Sequence, residues 1–127
     1  MRLLALETAT WLASVAVTEG DQVLAQRRQR TEGQHTVHLI PMIDAALAEA
    51  KCSVADLDAV AVSVGPGSFT GLRVGVGLAK GLAYARRLPL IPVPTLRALA
   101  SAAPVQRGAV AAVLDARRGE LYAALFA

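Results

Sequence analysis

The string Gly65-Pro66-Gly67-Ser68-Phe69-Thr70-Gly71-Leu72-Arg73-Val74-Gly75 constrains the fold more than any other segment, because it sets a glycine-rich turn between a buried strand and an apolar helix. Upstream, Leu57 to Val64 is a short β-branched run of the kind that forms an interior strand. Downstream, a helix is predicted from about Gly71 to Arg87. Pro66 fixes one φ, while Gly65, Gly67 and Gly71 lack the Cβ atoms that would forbid positive φ or hold a neighbouring backbone or ligand away. Ser68 or Thr70 is placed to cap the helix. Two readings stay open: a cradle of backbone N–H groups for an anion or phosphate, or a plain strand-to-helix turn. The string is neither the phosphate loop ending in Gly-Lys-Ser/Thr nor Gly-x-Gly-x-x-Gly.

Around this loop the periodicity predicts strands over Arg2 to Thr8, Leu12 to Glu19 and Gln22 to Arg30, with Gly20-Asp21 as a turn. A helix follows from about His35 to Lys51, with Leu39, Ile40, Met42, Ile43, Ala46, Leu47 and Ala50 on one broad face and Pro41 in its early turns. After the loop and its helix come a strand over Leu90 to Val93 and a short helix from Thr95. The order βββαβαβα predicts an α/β fold with a mixed sheet, the ribonuclease H-like lobe found in the actin/Hsp70/sugar-kinase superfamily. Leu3 to Val17 and Ala111 to Ala127 share one pattern: apolar strand, acidic residue (Glu7 or Asp115), polar turn, apolar strand. Residues 1–104 therefore read as one lobe, and 105–127 as a linker, over Pro104 to Gly108, plus the first hairpin of a truncated or reduced second lobe. Such a hairpin is marginal alone and must pack on something.

The core must be built from Ala, Val and Leu, because hydrophobic residues make up 54% of the chain and aromatics only 4%. There is neither an uninterrupted apolar run of membrane-spanning length nor the charge-then-apolar order of a secretory leader, so a cytoplasmic location is expected. Cys52, the single cysteine, reads as a packed or partly exposed thiol late in a helix. The net charge of +3 permits RNA contact without demanding it. Arg27-Arg28-Gln29-Arg30, Arg86-Arg87 and Arg117-Arg118 lack interleaved aromatics and read as solvated element ends.

Nuclease chemistry of the ribonuclease H kind needs clustered carboxylates for two metal ions. Glu7 could supply one, but Glu49 lies late in its helix and the fourth strand ends at Val64-Gly65 without an acid. Glu7, Thr8, Thr10 and Asp115 mimic the layout of a nucleotide site between two lobes. Trp11-Leu12-Ala13 replaces the glycine-rich turn such a site requires, so the constellation reads as vestigial. His35 and His38 stand at i, i+3, yet two ligands are not a metal site, and capping or surface roles are expected. No metal ligand set is assigned.

The helix after the loop carries apolar residues almost all round, with Arg73, Gly77, Lys80 and Tyr84 as a narrow stripe. One sheet covers one side, so a second covering element is required, supplied either by the first helix or by a partner.

The eleven-residue string resembles the hallmark of the TsaB (YeaZ) family. So do, in order, Leu4-Ala5-Leu6-Glu7-Thr8-Ala9-Thr10, His35-Thr36 with Leu39-Ile40-Pro41, Pro92-Val93-Pro94-Thr95-Leu96, and Leu114-Asp115-Ala116-Arg117-Arg118-Gly119-Glu120-Leu121-Tyr122. The resemblance implies a non-catalytic scaffold subunit of the machinery that makes threonylcarbamoyladenosine beside the tRNA anticodon. It would pair with a TsaD-like catalytic subunit through its two helices, with similar surfaces forming homodimers, a TsaE-like ATPase as a further partner and tRNA reached indirectly. On this reading Leu39, Ile43, Leu72, Arg73, Gly75, Val76 and Ala79 are interface candidates, no cofactor is intrinsic, and a nucleotide belongs at most to the subunit junction. Two rivals remain: a phosphotransferase-like lobe that binds ATP and acts only after assembly, and a homodimeric binding module.

Overall fold

In the computed structural model, residues 1–104 and 107–127 are described; Val105 and Gln106, in the expected linker, lie outside the described residues. Strands β1 (Arg2–Glu7), β2 (Leu12–Glu19) and β3 (Gln22–Arg30) are followed by α1 (His35–Glu49), β4 (Ala59–Ser63), α2 (Phe69–Arg86), β5 (Leu90–Val93) and α3 (Thr95–Ser101). A hairpin of β6 (Val110–Arg117) and β7 (Glu120–Phe126) ends the order. The five-stranded sheet runs β3-β2-β1-β4-β5, antiparallel among the first three strands and parallel from β1 to β4 to β5. This is the expected mixed sheet, and β6-β7 forms a separate two-stranded sheet packed on α3.

Register explains the core. Leu4 lies opposite Val17 on one side and Val60 on the other, and Leu6 opposite Val15 and Val62, so these side chains line one face of the sheet. That face is closed by Leu39, Met42, Ile43, Ala46 and Leu47 of α1 and by Ala79 of α2. Burying each Leu or Val there contributes about 2 kcal/mol. β4 is buried throughout, and its opposite row is Ala59, Ala61 and Ser63.

Three local details differ from expectation. α2 begins at Phe69, two residues early, because Ser68 is the cap: its Oγ accepts from the Gly71 N–H at 3.3 Å. β4 is shorter than Leu57 to Val64, since a 3₁₀ turn at Val54–Asp56 occupies its approach. Cys52 lies past the end of α1. In that 3₁₀ turn the Ser53 N–H and then its hydroxyl donate to the Asp56 carboxylate, which holds the carboxyl below its ordinary range.

Candidate functional site

The glycine loop is stitched to the end of β1 and to α3. The Ser68 N–H donates to the Ala9 carbonyl at 2.7 Å, the Gly65 N–H to Thr95 Oγ1 at 3.2 Å, and the Thr95 N–H back to the Gly65 carbonyl at 2.9 Å. Its glycines serve close approach. A Cβ at Gly67 would lie 2.6 Å from the Ala9 carbonyl oxygen, one at Gly71 2.2 Å from the Thr8 carbonyl oxygen, and one at Gly75 2.1 Å from Thr8 Oγ1. The space a ligand would need beside these positions holds the chain's own backbone, which favours the strand-to-helix turn over an anion cradle.

His35 is a core residue at 1% exposure, which corrects the expected capping or surface role. Its Nε2–H donates to the Thr10 carbonyl at 2.8 Å, and Thr31 Oγ1 lies 3.2 Å from the same nitrogen. The ring thereby ties the start of α1 to the β1–β2 turn, directly beside Gly71. His38 Nδ1 instead pairs with Gln29 Nε2 at 2.9 Å. Among the described residues, no cluster of three or more His, Cys, Asp or Glu is placed to hold a metal ion.

The four residues of the vestigial nucleotide layout do not converge. Glu7 is half-buried, with one carboxylate oxygen accepting from the Ala9 N–H at 2.6 Å and the other from the Ser63 hydroxyl. Thr8 is fully buried under α2, its hydroxyl without a partner. Thr10 and Asp115 alone reach a cleft of about 610 Å³ between the β1–β2 turn, the glycine loop and the β6–β7 hairpin. Thr10 Oγ1 accepts from the Leu12 N–H at 3.3 Å and Asp115 Oδ1 from the Arg117 N–H at 2.8 Å. The other polar and aromatic walls are Trp11, Ser68, Phe69, Thr70, Arg117 and Tyr122. Sequence reasoning did not assemble this cleft. The only available signal was the repeated strand-turn-strand pattern, which sets two hairpin turns against one another.

The interface candidates require a correction. Gly71, Gly75, Ala79 and Ala83, spaced every fourth residue, form the face of α2 that lies on the sheet. Gly75 and Ala79 are therefore buried against their own lobe, as are Leu39 and Ile43 of α1. Small residues let a helix approach a sheet as readily as another helix, which is why the sequence pattern misassigned that seam. Leu72 and Val76 lie on the half-buried flanks, and Arg73 is exposed with its guanidinium 5.5 Å from the centre of the Phe69 ring. The solvent side of the helix pair includes Val37, Ile40, Pro41, Asp44 and Ala48 on α1 and Arg73, Gly77, Lys80, Gly81 and Tyr84 on α2. Tyr84 is 88% exposed, and a Cβ at Gly77 or Gly81 would meet nothing within 4 Å.

A family model described as TsaD, tRNA N6-adenosine threonylcarbamoyltransferase, matches residues 23–126. The chain belongs to this family. The likeness to TsaB (YeaZ) carried by the sequence motifs extends over nearly the whole chain. The chain is 43% identical to "tRNA threonylcarbamoyladenosine biosynthesis protein TsaB" of Escherichia coli, over 96% of its own length and 53% of that protein's. It is 33% identical to the protein of the same name from Bacillus subtilis, over 99% of its length and 55% of that protein's. "YeaZ from Pseudomonas aeruginosa" superposes with a TM-score of 0.90 at 37% identity, covering 98% of this chain and 59% of that one. The chain thus spans about half the length of the curated TsaB relatives it matches. The structural likeness supports the ribonuclease H-like lobe expected from element order. Among the described residues, no helix is long and apolar enough to cross a membrane.

Proposed function

We propose that this TsaB-like chain is a non-catalytic partner subunit in tRNA threonylcarbamoyladenosine formation, docking on a TsaD-like catalytic subunit through the outward side of α1 and α2. One observation carries the reading: this side exposes Val37, Ile40 and Tyr84 beside the open glycines Gly77 and Gly81. Exposed aromatic and aliphatic anchors next to a Cβ-free strip suit close packing by a helix of a second protein. The names of the relatives supply the pathway. Threonylcarbamoyl transfer itself falls to the partner, in keeping with Glu7 having both carboxylate oxygens engaged inside its own lobe.

The test is co-purification and reconstituted tRNA modification with a TsaD-like subunit. Gly77→Glu combined with Tyr84→Glu is expected to abolish binding and stimulation while leaving the circular dichroism spectrum unchanged and the melting temperature no lower, because both sites face solvent and Glu favours the helix over Gly. Full stimulation by this variant refutes the surface. A wild-type chain that forms stable dimers by light scattering yet never binds the catalytic subunit supports the homodimeric module instead. Magnesium-dependent ATP binding by the isolated chain, seen by calorimetry, supports the phosphotransferase-like lobe.

A further inference from the structure

A core built from Ala, Val and Leu encloses one imidazole, and only half of that ring is satisfied. The Nε2–H of buried His35 donates to the Thr10 carbonyl at 2.8 Å, while its Nδ1 is buried without a partner. A leucine would fill the space with no orphaned nitrogen, so packing alone does not account for a ring there. What the ring adds is a link among three elements. It stands at the first residue of α1 and holds the β1–β2 turn through Thr10. Its Cε1 and Nε2 lie 3.0 and 3.1 Å from where a Cβ at Gly71 of α2 would sit. Thr31 completes the knot: its N–H and hydroxyl donate to the Trp11 carbonyl at 2.7 and 3.1 Å, and its carbonyl accepts from the Gln34 N–H at 2.8 Å.

The start of α1 has little else to hold it. Gln34, just before the helix, makes no side-chain capping bond, and the first turn carries no acidic residue to meet the helix dipole. Pro41 lacks the N–H that would bond the Val37 carbonyl four residues earlier, so the helix ladder is interrupted where the first turn joins the rest. The apolar anchors of α1 in the core, Leu39, Met42, Ile43, Ala46 and Leu47, all lie beyond that turn.

We propose that His35 is a positioning residue for the docking side of the helix pair: its ring fixes the first turn of α1, and with it Val37 and Ile40, against Gly77 and Tyr84 of α2. The inference rests on the proposed docking of a TsaD-like subunit and adds that affinity there depends on a buried donor out of the partner's reach. Without the Nε2–H the first turn is free, and the partner must restore its order on binding. That ordering cost appears as weaker binding.

His35→Gln and His35→Leu separate the donor from the volume. A glutamine amide reaches the place of Nε2 and donates to Thr10, whereas leucine fills the site without a donor. Binding of a TsaD-like subunit to the full chain is measured by calorimetry, with a urea titration of each variant alongside. His35→Leu is expected to bind about tenfold more weakly and His35→Gln nearly like wild type. Leu47→Ala, a core cavity at the other end of α1, is the control for lost stability: it unfolds at lower urea yet should bind like wild type. Nitrogen NMR of the imidazole gives a signature independent of the partner, a slowly exchanging proton on Nε2. The proposal is overturned by His35→Leu binding like wild type, by Leu47→Ala weakening binding as much as His35→Leu, by His35→Gln showing no recovery, or by a ring protonated on Nδ1 alone. If His35→Leu does not fold, His35→Asn, whose amide stops short of Thr10, takes its place under the same criteria. Failure of the docking reading looks different: full stimulation by Gly77→Glu with Tyr84→Glu, or no binding by the wild-type chain, overturns that reading and this inference together.

Discussion

Four glycines of α2 allow the same substitution to be tested with opposite expected signs. In a helix interior, Gly→Ala stabilises by about 1 kcal/mol through backbone entropy. At Gly77 and Gly81 nothing lies within 4 Å of the added Cβ, so this gain stands alone and the melting temperature should rise by about 4 °C at each site. At Gly71 the Cβ would sit 2.2 Å from the Thr8 carbonyl oxygen, and only a shift of the helix against β1 can relieve the clash. Overpacking against main chain costs about 3 kcal/mol, and subtracting the propensity gain leaves a net loss of about 2 kcal/mol, or roughly 8 °C. Gly75→Ala meets Thr8 Oγ1 at 2.1 Å, a side-chain obstacle with an unpartnered hydroxyl. Thr8→Ala should therefore rescue Gly75→Ala and leave Gly71→Ala unrescued, a coupling read from a double-mutant cycle by urea titration. Equal stability of Gly71→Ala and Gly77→Ala, or equal rescue of both clashes, would refute the proposed seam.

His35→Ala should destabilise the chain by about 2 to 3 kcal/mol in urea titration, because it opens a cavity and strips the Thr10 carbonyl of its donor; stability within 0.5 kcal/mol of wild type counts against the stitch. For Asp56, whose carboxyl is held below 3.8 by Ser53, the turn is supported above the ordinary carboxylate range. That support is lost only as pH falls through the lowered value. A carboxyl-carbon NMR titration should find its midpoint below 3.8 and see Ser53→Ala raise it only part of the way, since the Ser53 main-chain N–H still donates; an unchanged midpoint refutes the hydroxyl's share.

Strand and helix order was readable because alternation in β2 and the Gly20-Asp21 turn are local signals. Ser68 as a cap was readable for the same reason. Which side of α2 meets the sheet was not, because Gly75 and Ala79 carry no hydropathy that distinguishes an internal seam from an external one. His35 looked like a helix-start residue, and only the return of the β1–β2 turn beneath it makes it part of the core. The cleft was the least legible part. Trp11 and Arg117 belong to different hairpins, and their meeting depends on how α3 carries the second hairpin back toward the first.

Because Gly71 sets α2 against the Thr8 carbonyl and Gly75 sets it against the Thr8 hydroxyl, little side-chain matter cushions α2 from the end of β1. A push on the outer side of that helix reaches the mouth of the cleft undamped, as a displacement of one stiff piece. Whatever grips Gly77 or Tyr84 thus moves Phe69 and the Thr8 to Thr10 segment together.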